Sequence, residues 1–253
     1  MTPDSSVVTE VLDETVLLIT INRPEARNAI DGPVATGLLR AVERLDEDPA
    51  LRVGVITGAG GFFSAGMDLK AFAEHGAPKD MMPFLTRVGE KPTIAAVEGF
   101  ALAGGLEVAL TCDLVVAATH ARFGVPEVAV GLFAAGGALC RLPRRVPVSV
   151  ALEMALTAKP INAELAHSHG LVNRVVPVGN ALGEALELAR TIGRNAPSAL
   201  RASRELIYCS LDVDEAEFWK LQQPLIDTIF HSEDAKEGPK AFAEKRSPVW
   251  TGR

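Results

Sequence analysis

Apolar and polar positions follow two periods along the chain, and the switches between them mark its elements. Val7 to Val11 and Val16 to Ile21 are β-rich runs on either side of Asp13-Glu14, which predicts two strands and a turn. Val34, Leu38, Leu39, Val42 and Leu45 recur at helical spacing. They predict a helix over Pro33–Leu45, with Asp31 as N-cap and Pro33 in its first turn. Val53–Thr57 predicts a strand that ends in the tight turn Gly58-Ala59-Gly60-Gly61, and Asp68–Phe72 opens a helix. Glu74–Asp80 contains Gly76 and Pro78 and predicts a mobile loop. A buried strand over Thr93–Val97, a helix over Ala103–Leu110 and a strand over Leu114–Ala118 follow. Repeated strand, turn and helix signal an α/β architecture.

The second half has a different rhythm. Pro147–Leu156, Asn162–His169, Ala181–Arg194, Ser198–Cys209, Glu215–Ile229 and Ala235–Lys245 all read as helices, and only Leu171–Val176 reads as a strand. An α/β core thus carries a mostly helical C-terminal part, with no fixed-period repeat or low-complexity linker between them.

Composition narrows the picture. With 253 residues, 48% of them apolar, the chain can bury a sizeable core without a disulfide or metal staple. A formal net charge of -7 suits neither nucleic acid nor an anionic membrane surface. The three cysteines, Cys112, Cys140 and Cys209, are widely spaced and form no CxxC pair, so three buried thiols in a reducing cytoplasm are expected. Met1-Thr-Pro-Asp-Ser-Ser has neither a basic start nor an apolar stretch, so no leader is expected, and no apolar run is long enough for a membrane span.

Several familiar chemistries lack their residues. A dinucleotide fingerprint over Gly58–Phe63 needs glycine where Phe63 stands. No Walker A ending follows, and Tyr208, the single tyrosine, has Asp212 rather than lysine four residues on. Ser64 is not in a nucleophile elbow. His167 and His169 diverge on a helix, so no metal site is expected.

Two glycine-rich segments remain, each ending a buried strand: Phe62-Phe63-Ser64-Ala65-Gly66-Met67-Asp68-Leu69-Lys70, and Pro92-Thr93 through Gly104-Gly105-Leu106-Glu107. Small residues let backbone approach a ligand, and a strand that gives way to a helix N-terminus points unpaired N–H groups outward. Two converging N–H groups make an oxyanion hole. Either segment alone is explained by a tight turn. Glu107 either complements its helix dipole or is functional, and Glu127, after Pro126, is either an exposed turn residue or functional. Two carboxylates in unequal surroundings can serve as an acid and a base.

Together these residues resemble the crotonase superfamily, the enoyl-CoA hydratase/isomerase family. The matching stretches are Ile21–Ala29, Phe63–Asp68, Lys91–Glu107 with Cys112-Asp113, Pro126-Glu127, Leu171–Asn173 and Ala241–Arg246, in an order that spans nearly the whole chain. The resemblance implies an α/β, crotonase-like spiral of ββα units over 1–190 and a helical C-terminal trimerisation region over 191–253. It implies a homotrimer, or a hexamer formed as a dimer of trimers, and an acyl-CoA substrate with no separate cofactor. The thioester oxygen would lie between the N–H groups of Met67 and Gly104. Ala26, Arg27, Ala65, Asp68, Leu69 and Lys70 would line the CoA path, and Phe242 and Lys245 would close over the nucleotide.

Within that family, glutamates at both Glu107 and Glu127 match the hydratase pattern. The resemblance therefore implies hydration of a trans-2-enoyl-CoA, with Glu127 as acid and Glu107 as carboxylate holding the water. An enoyl-CoA isomerase using Glu127 as its base is the first alternative, and a non-catalytic acyl-CoA-binding protein the second. The chain departs from the common pattern at Ala103, where glycine is frequent, and at Ala134-Ala135, where Pro-Gly is usual. Glu74–Val88, with Met81, Met82, Phe84 and Leu85, is the expected wall of the acyl pocket.

Overall fold

The computed structural model describes residues 5–87 and 89–253. Met1–Asp4, on which the reading of the N-terminus partly falls, and Val88, the end of the expected acyl wall, lie outside the described residues. In chain order the first half comprises β1 (Val7–Leu12), β2 (Val16–Ile21), α1 (Gly32–Glu47), β3 (Val53–Gly58), α2 (Leu69–His75), α3 (Met81–Thr86), β4 (Thr93–Val97), β5 (Phe100–Leu102), α4 (Gly104–Thr111), β6 (Leu114–Ala118) and β7 (Arg122–Gly124). The second half comprises α5 (Ala138–Arg141), α6 (Val148–Thr157), β8 (Ile161–Asn162), α7 (Ala163–Ser168), β9 (Arg174–Val176), α8 (Ala181–Gly193), α9 (Pro197–Cys209), α10 (Glu215–Phe230) and α11 (Glu233–Ala243). No helix among the described residues is long and apolar enough to cross a membrane.

The strands form a larger sheet in the order β1-β2-β3-β4-β6-β9, parallel except for the β1–β2 hairpin, and a smaller one in the order β5-β7-β8. β4 turns at Glu98-Gly99 into β5, and β6 turns at Thr119–Ala121 into β7. The stretch after β3 repeats the move, with Ser64 bridging to Ala101 of β5. The long strands stack in one sheet and the short ones in the other, so the chain winds as a spiral of strand pairs and helices, followed by helices. The short strands are absent from the sequence expectation because two or three residues cannot display a period.

Both faces of the larger sheet are covered, which is why β3, β4 and β6 read as continuous apolar runs rather than alternating ones. Leu17, Ile19, Ile56, Ala95, Val97 and Val115 face one core cluster, shared with Val34, Leu38 and Leu45 of α1. Val16, Val53, Val55, Ile94, Ala96 and Val116 face the other, where α8 lays Ala181, Ala185 and Ala189 on the sheet. Small residues four apart let α8 sit close to the strands. The expected caps of α1 are present: Asp31 accepts from the Val34 N–H at 3.0 Å. At the far end of α1 the buried Lys91 ammonium donates to the carbonyls of Leu45 and Asp48.

Some boundaries move. Glu74 and His75 belong to the last turn of α2, and the expected acyl-wall loop contains the helix α3. The strand expected over Leu171–Val176 narrows to β9, because Leu171 and Val172 bond back to Ala166 of α7. The C-terminal helix expected over 235–245 runs from Glu233 to Ala243 and leaves Lys245 beyond it at φ 53°. The expectation of three buried thiols holds for Cys112 alone. Burial there pushes the thiol up to about 12, whereas Cys140 on the short surface helix α5 is exposed and Cys209 is half-buried.

Asp113 fastens the helical C-terminal part to the core. One carboxylate oxygen accepts from the Thr93 N–H at 2.8 Å, and the other accepts from Arg204 at 2.7 Å and from the Tyr208 hydroxyl at 2.8 Å. Asp113→Ala leaves a guanidinium without its partner, so a loss of about 3 kcal/mol in stability is expected. Denaturant unfolding followed by tryptophan fluorescence measures it, since Trp219 and Trp250 both lie in the C-terminal part.

Candidate active site

The segment after β3 is pinned on three sides. Ser64 is buried, and its hydroxyl donates to the Asn28 carbonyl at 2.8 Å while accepting from the Gly66 N–H at 3.2 Å. Ala65 donates to the Arg27 carbonyl, Ile30 to the Gly66 carbonyl, and Asp68 to the Ile30 carbonyl. Asn28 itself is fully buried in a left-handed conformation, and its amide donates to the carbonyls of Ala59 and Phe62 at 2.8 Å. This lattice engages the residues on both sides of Met67 and leaves the Met67 N–H without an acceptor among the described residues.

The second amide comes from α4. Gly104 is its first helical residue, so its N–H has no intrahelical acceptor. A Cβ built on Gly104 would stand 3.5 Å from the Met67 nitrogen, and one on Gly66 3.1 Å from the Gly104 nitrogen. The two N–H groups named in the sequence are therefore neighbours. Gly66, at φ 98°, must be glycine, because a side chain there would also meet the Leu102 carbonyl at 2.8 Å.

Ala103 turns the chain into α4 at φ 49° and ψ -129°, a conformation that suits glycine. An alanine held there costs about 1–3 kcal/mol. Ala103→Gly is expected to raise stability by about 1 kcal/mol, less than the full strain because glycine is freer when unfolded. The shift of the denaturant midpoint reads this out.

Glu107 lies one turn along α4 and is nearly fully buried. One of its oxygens accepts from the Ala138 N–H at 3.3 Å. Gly136 presses against the other: a Cβ there would fall 2.3 Å from it and 2.5 Å from a Leu85 methyl. Burial raises the Glu107 pKa, and the amides of Ala138 and Gly136 and the charge of Arg141 oppose that rise. Glu127 sits in the short helical turn Pro126–Val130, half-buried, and its Oε2 is buried with no hydrogen-bond partner among the described residues. Burial raises its pKa too, and the negative charge of Glu107 adds to the rise. The surroundings of the two carboxyls differ: Glu107 has the amides of Ala138 and Gly136 and the cation Arg141, whereas Glu127 has only its own backbone amide opposing the rise.

The arrangement thus holds two neighbouring amides without backbone acceptors, a buried carboxyl on the helix that one of them opens and a half-buried carboxyl that feels its charge. The family described as Enoyl-CoA hydratase/isomerase matches residues 12–253. The chain belongs to this family. It is 41% identical over 248 residues to the enoyl-CoA hydratase EchA19 of Mycobacterium tuberculosis, covering 94% of this chain and 93% of that protein. It is 42% identical over 250 residues to the carnitinyl-CoA dehydratase of Salmonella paratyphi A, covering 94% and 95%. A crystal structure of an enoyl-CoA hydratase from Mycobacterium tuberculosis H37Rv superposes with a TM-score of 0.94 at 46% identity, covering 99% of this chain and all of that one.

The remaining residues named by the resemblance to this enoyl-CoA hydratase/isomerase family fall into two places. The Ala65 N–H donates to the carbonyl of Arg27, which follows Ala26, at 3.1 Å, and exposed Leu69 and Lys70 open α2 a few residues on. Asp68 acts differently from the others: its carboxylate caps α2 at Lys70 and Ala71 and accepts from Arg23, contacts that hold its pKa down. Arg23 also pairs with Asp31 at 3.1 Å, so it locks the Ala26–Arg27 corner to α1 and α2. Phe242, 86% exposed, and Lys245 lie apart from this corner on and after α11, which packs on α10.

Sequence reasoning missed Asn28 as a buried clamp, Arg23 as a staple, and Gly136, Ala138 and Arg141 as the surroundings of Glu107. Leu85 of the expected acyl wall packs against Gly136 beside the Glu107 carboxylate. A separate apolar cavity of about 410 Å³ borders Glu127 and is lined by Val125, Phe133, Ala134, Leu139 and Leu152. Ala134, one of the departures from the common pattern, is in that lining.

Proposed function

We propose that the protein is an enoyl-CoA hydratase, adding water syn across the double bond of a trans-2-enoyl-CoA to give a 3-hydroxyacyl-CoA. The observation that carries this reading is the pair Glu107 and Glu127, both raised in pKa, with Glu107 one turn of helix from Gly104, whose amide neighbours that of Met67. The names of the similar proteins, a hydratase and a dehydratase, describe the addition or removal of water and support the same class.

The amides of Met67 and Gly104 donate to the thioester oxygen and stabilise the negative charge that grows there as C3 is attacked. Glu107, with donors to its oxygens and Arg141 nearby, is the better stabilised carboxylate and takes the proton of the attacking water. Glu127, desolvated and facing a second negative charge, is the better stabilised acid and delivers a proton to C2. The hydroxyl bonds to C3, the C2–C3 π pair takes the proton from Glu127, and an incoming water carries the proton from Glu107 back to Glu127. Coenzyme A is part of the substrate, and no further cofactor enters the scheme. Arg27 and Lys70 supply positive charge for the CoA phosphates on an otherwise acidic chain.

The same reading assigns a homotrimer, alone or paired as a hexamer. Exposed apolar side chains on α6 and α10, among them Leu156 and Phe230, each 73% exposed, call for a covering surface. Light scattering after gel filtration measures the mass.

Loss of the conjugated enoyl-thioester absorbance with crotonyl-CoA and longer trans-2-enoyl-CoAs tests the activity. Turnover to 3-hydroxyacyl-CoA supports it. Inertness with every chain length, together with conversion of a 3-enoyl-CoA, would establish the isomerase instead, and CoA-ester binding without any turnover the non-catalytic protein.

A further inference from the structure

Arg141 has a local arrangement that the mechanism has not used. It is the last residue of α5 and is half-buried. Its two side-chain hydrogen bonds go to carbonyls: Gly136 O at 3.2 Å and Leu85 O. It forms no ion pair among the described residues, so its positive charge is not cancelled by a bonded carboxylate.

Each bond ends beside Glu107. Gly136 and Ala138 flank the loop that holds the Glu107 carboxylate, and Leu85, at the end of α3, packs on Gly136 with its methyl. Gly137 between them is at φ 104°, and a Cβ there would fall 2.5 Å from Arg141 Nη1. The guanidinium thus fills the space that a side chain at 137 would take, and the loop passes between it and Glu107. A planar fork that bonds two carbonyls on two elements fixes their spacing, which a single-point lysine cannot do.

We propose that Arg141 is a positioning residue for Glu107, its guanidinium tying the Gly136–Ala138 loop to the end of α3 and so fixing the carboxylate that binds the attacking water. The proposal rests on the hydratase reading for its kinetic part. The charged group acting on Glu107 is Arg141 from α5; Glu127, from the turn at Pro126–Val130, feels the charge of Glu107, and α3 brings the apolar Leu85 against Gly136 beside the carboxylate. Arg141 therefore also opposes the burial of Glu107, and its removal is expected to make Glu107 harder to ionise.

The experiment compares wild type, Arg141→Lys and Arg141→Gln in two readouts. The first is the pH profile of crotonyl-CoA hydration, with kcat and KM separated. The second is the titration of the Glu107 side-chain 13C resonance, assigned through its loss in Glu107→Gln. Arg141→Gln is expected to lower kcat by about 10- to 100-fold with KM nearly unchanged, the scale of a misplaced catalytic group. The acid limb and the Glu107 titration should both move to higher pH, because the charge of Arg141 opposes the rise that burial causes. Arg141→Lys keeps the charge and loses the fork, so its limb should stay near that of wild type while kcat still falls. Melting temperatures show that both variants are folded.

Unchanged kcat and an unchanged Glu107 titration in Arg141→Gln would overturn the proposal. So would losses in both variants that follow melting temperature alone. If wild type fails to hydrate any enoyl-CoA, the hydratase reading falls, and the Glu107 titration still decides whether Arg141 holds that carboxylate.

Discussion

Glu107→Gln is expected to lower kcat for crotonyl-CoA hydration by about 10²-fold or more, and Glu127→Gln by a similar factor, because each removes one partner of a proton-transfer pair. Glutamine keeps the size and a hydrogen-bonding oxygen, so the Ala138 N–H still has an acceptor at 107. KM should move little if the thioester is held by amides and the CoA by the Arg27–Lys70 corner. The two carboxyls share a field, so the wild-type bell has apparent limbs that belong to the pair. Its acid limb falls as Glu107 gains a proton, its alkaline limb as Glu127 loses one. Raised pKa values put both limbs above the ordinary carboxylate range. Single variants with wild-type kcat would remove the pair from the mechanism.

The same substitution has a second consequence with the opposite sign. In the folded chain Glu127 binds its proton more tightly than in the unfolded chain, where the carboxyl titrates near its ordinary value of 4.5. Below that value the carboxyl is neutral in both states and imposes no penalty of charge burial. As pH rises through the folded pKa the penalty grows, and stability falls. Glu127→Gln cannot ionise, so it should be inactive yet more stable than wild type at pH 8 by about 1 kcal/mol, the scale of a buried unsatisfied group. The gap should close toward pH 4.5. Denaturant unfolding at the two pH values measures it.

These features differ in how far they could be read from the sequence. The helix α1 was legible because its apolar stripe, Asp31 cap and Pro33 all point the same way. The strands of the larger sheet were legible as apolar runs, since both faces are covered. The two glycine-rich segments were legible as candidate turns or amide sites, and only the family resemblance named Met67 and Gly104 within them. β5, β7, β8 and α5 have four residues or fewer, too few for a period. The unpartnered Oε2 of Glu127 is a property of what surrounds it, and no neighbour in sequence reports it. Arg141, 34 positions after Glu107, meets the glutamate's loop only because the chain returns there after β6 and β7. The strain at Ala103 is equally silent, since alanine before two glycines suggests an ordinary helix start.

Gly104→Pro should abolish one donor of the oxyanion hole while sparing the helix it starts. Proline is favoured at the first helical position, where no intrahelical bond is lost. Ala103, at ψ -129°, lies outside the α region that a following proline disfavours. A Cβ at 104 meets the Met67 nitrogen at 3.5 Å and an Ile30 methyl at 3.7 Å, both ordinary contacts. Gly104→Ala is the matched control: it adds the same Cβ and keeps the N–H. The alanine variant reports how much the methyl crowds the thioester oxygen, and the further loss in the proline variant reports the hydrogen bond. That further loss is expected to be about 10²–10³-fold in kcat, the cost of removing one such donor. The dissociation constant of a saturated acyl-CoA should be similar for the two variants, because the donor matters most when charge has moved onto the oxygen. Equal kcat in the alanine and proline variants would mean that the Gly104 N–H carries no transition-state charge, and the thioester would have to be oriented by other groups.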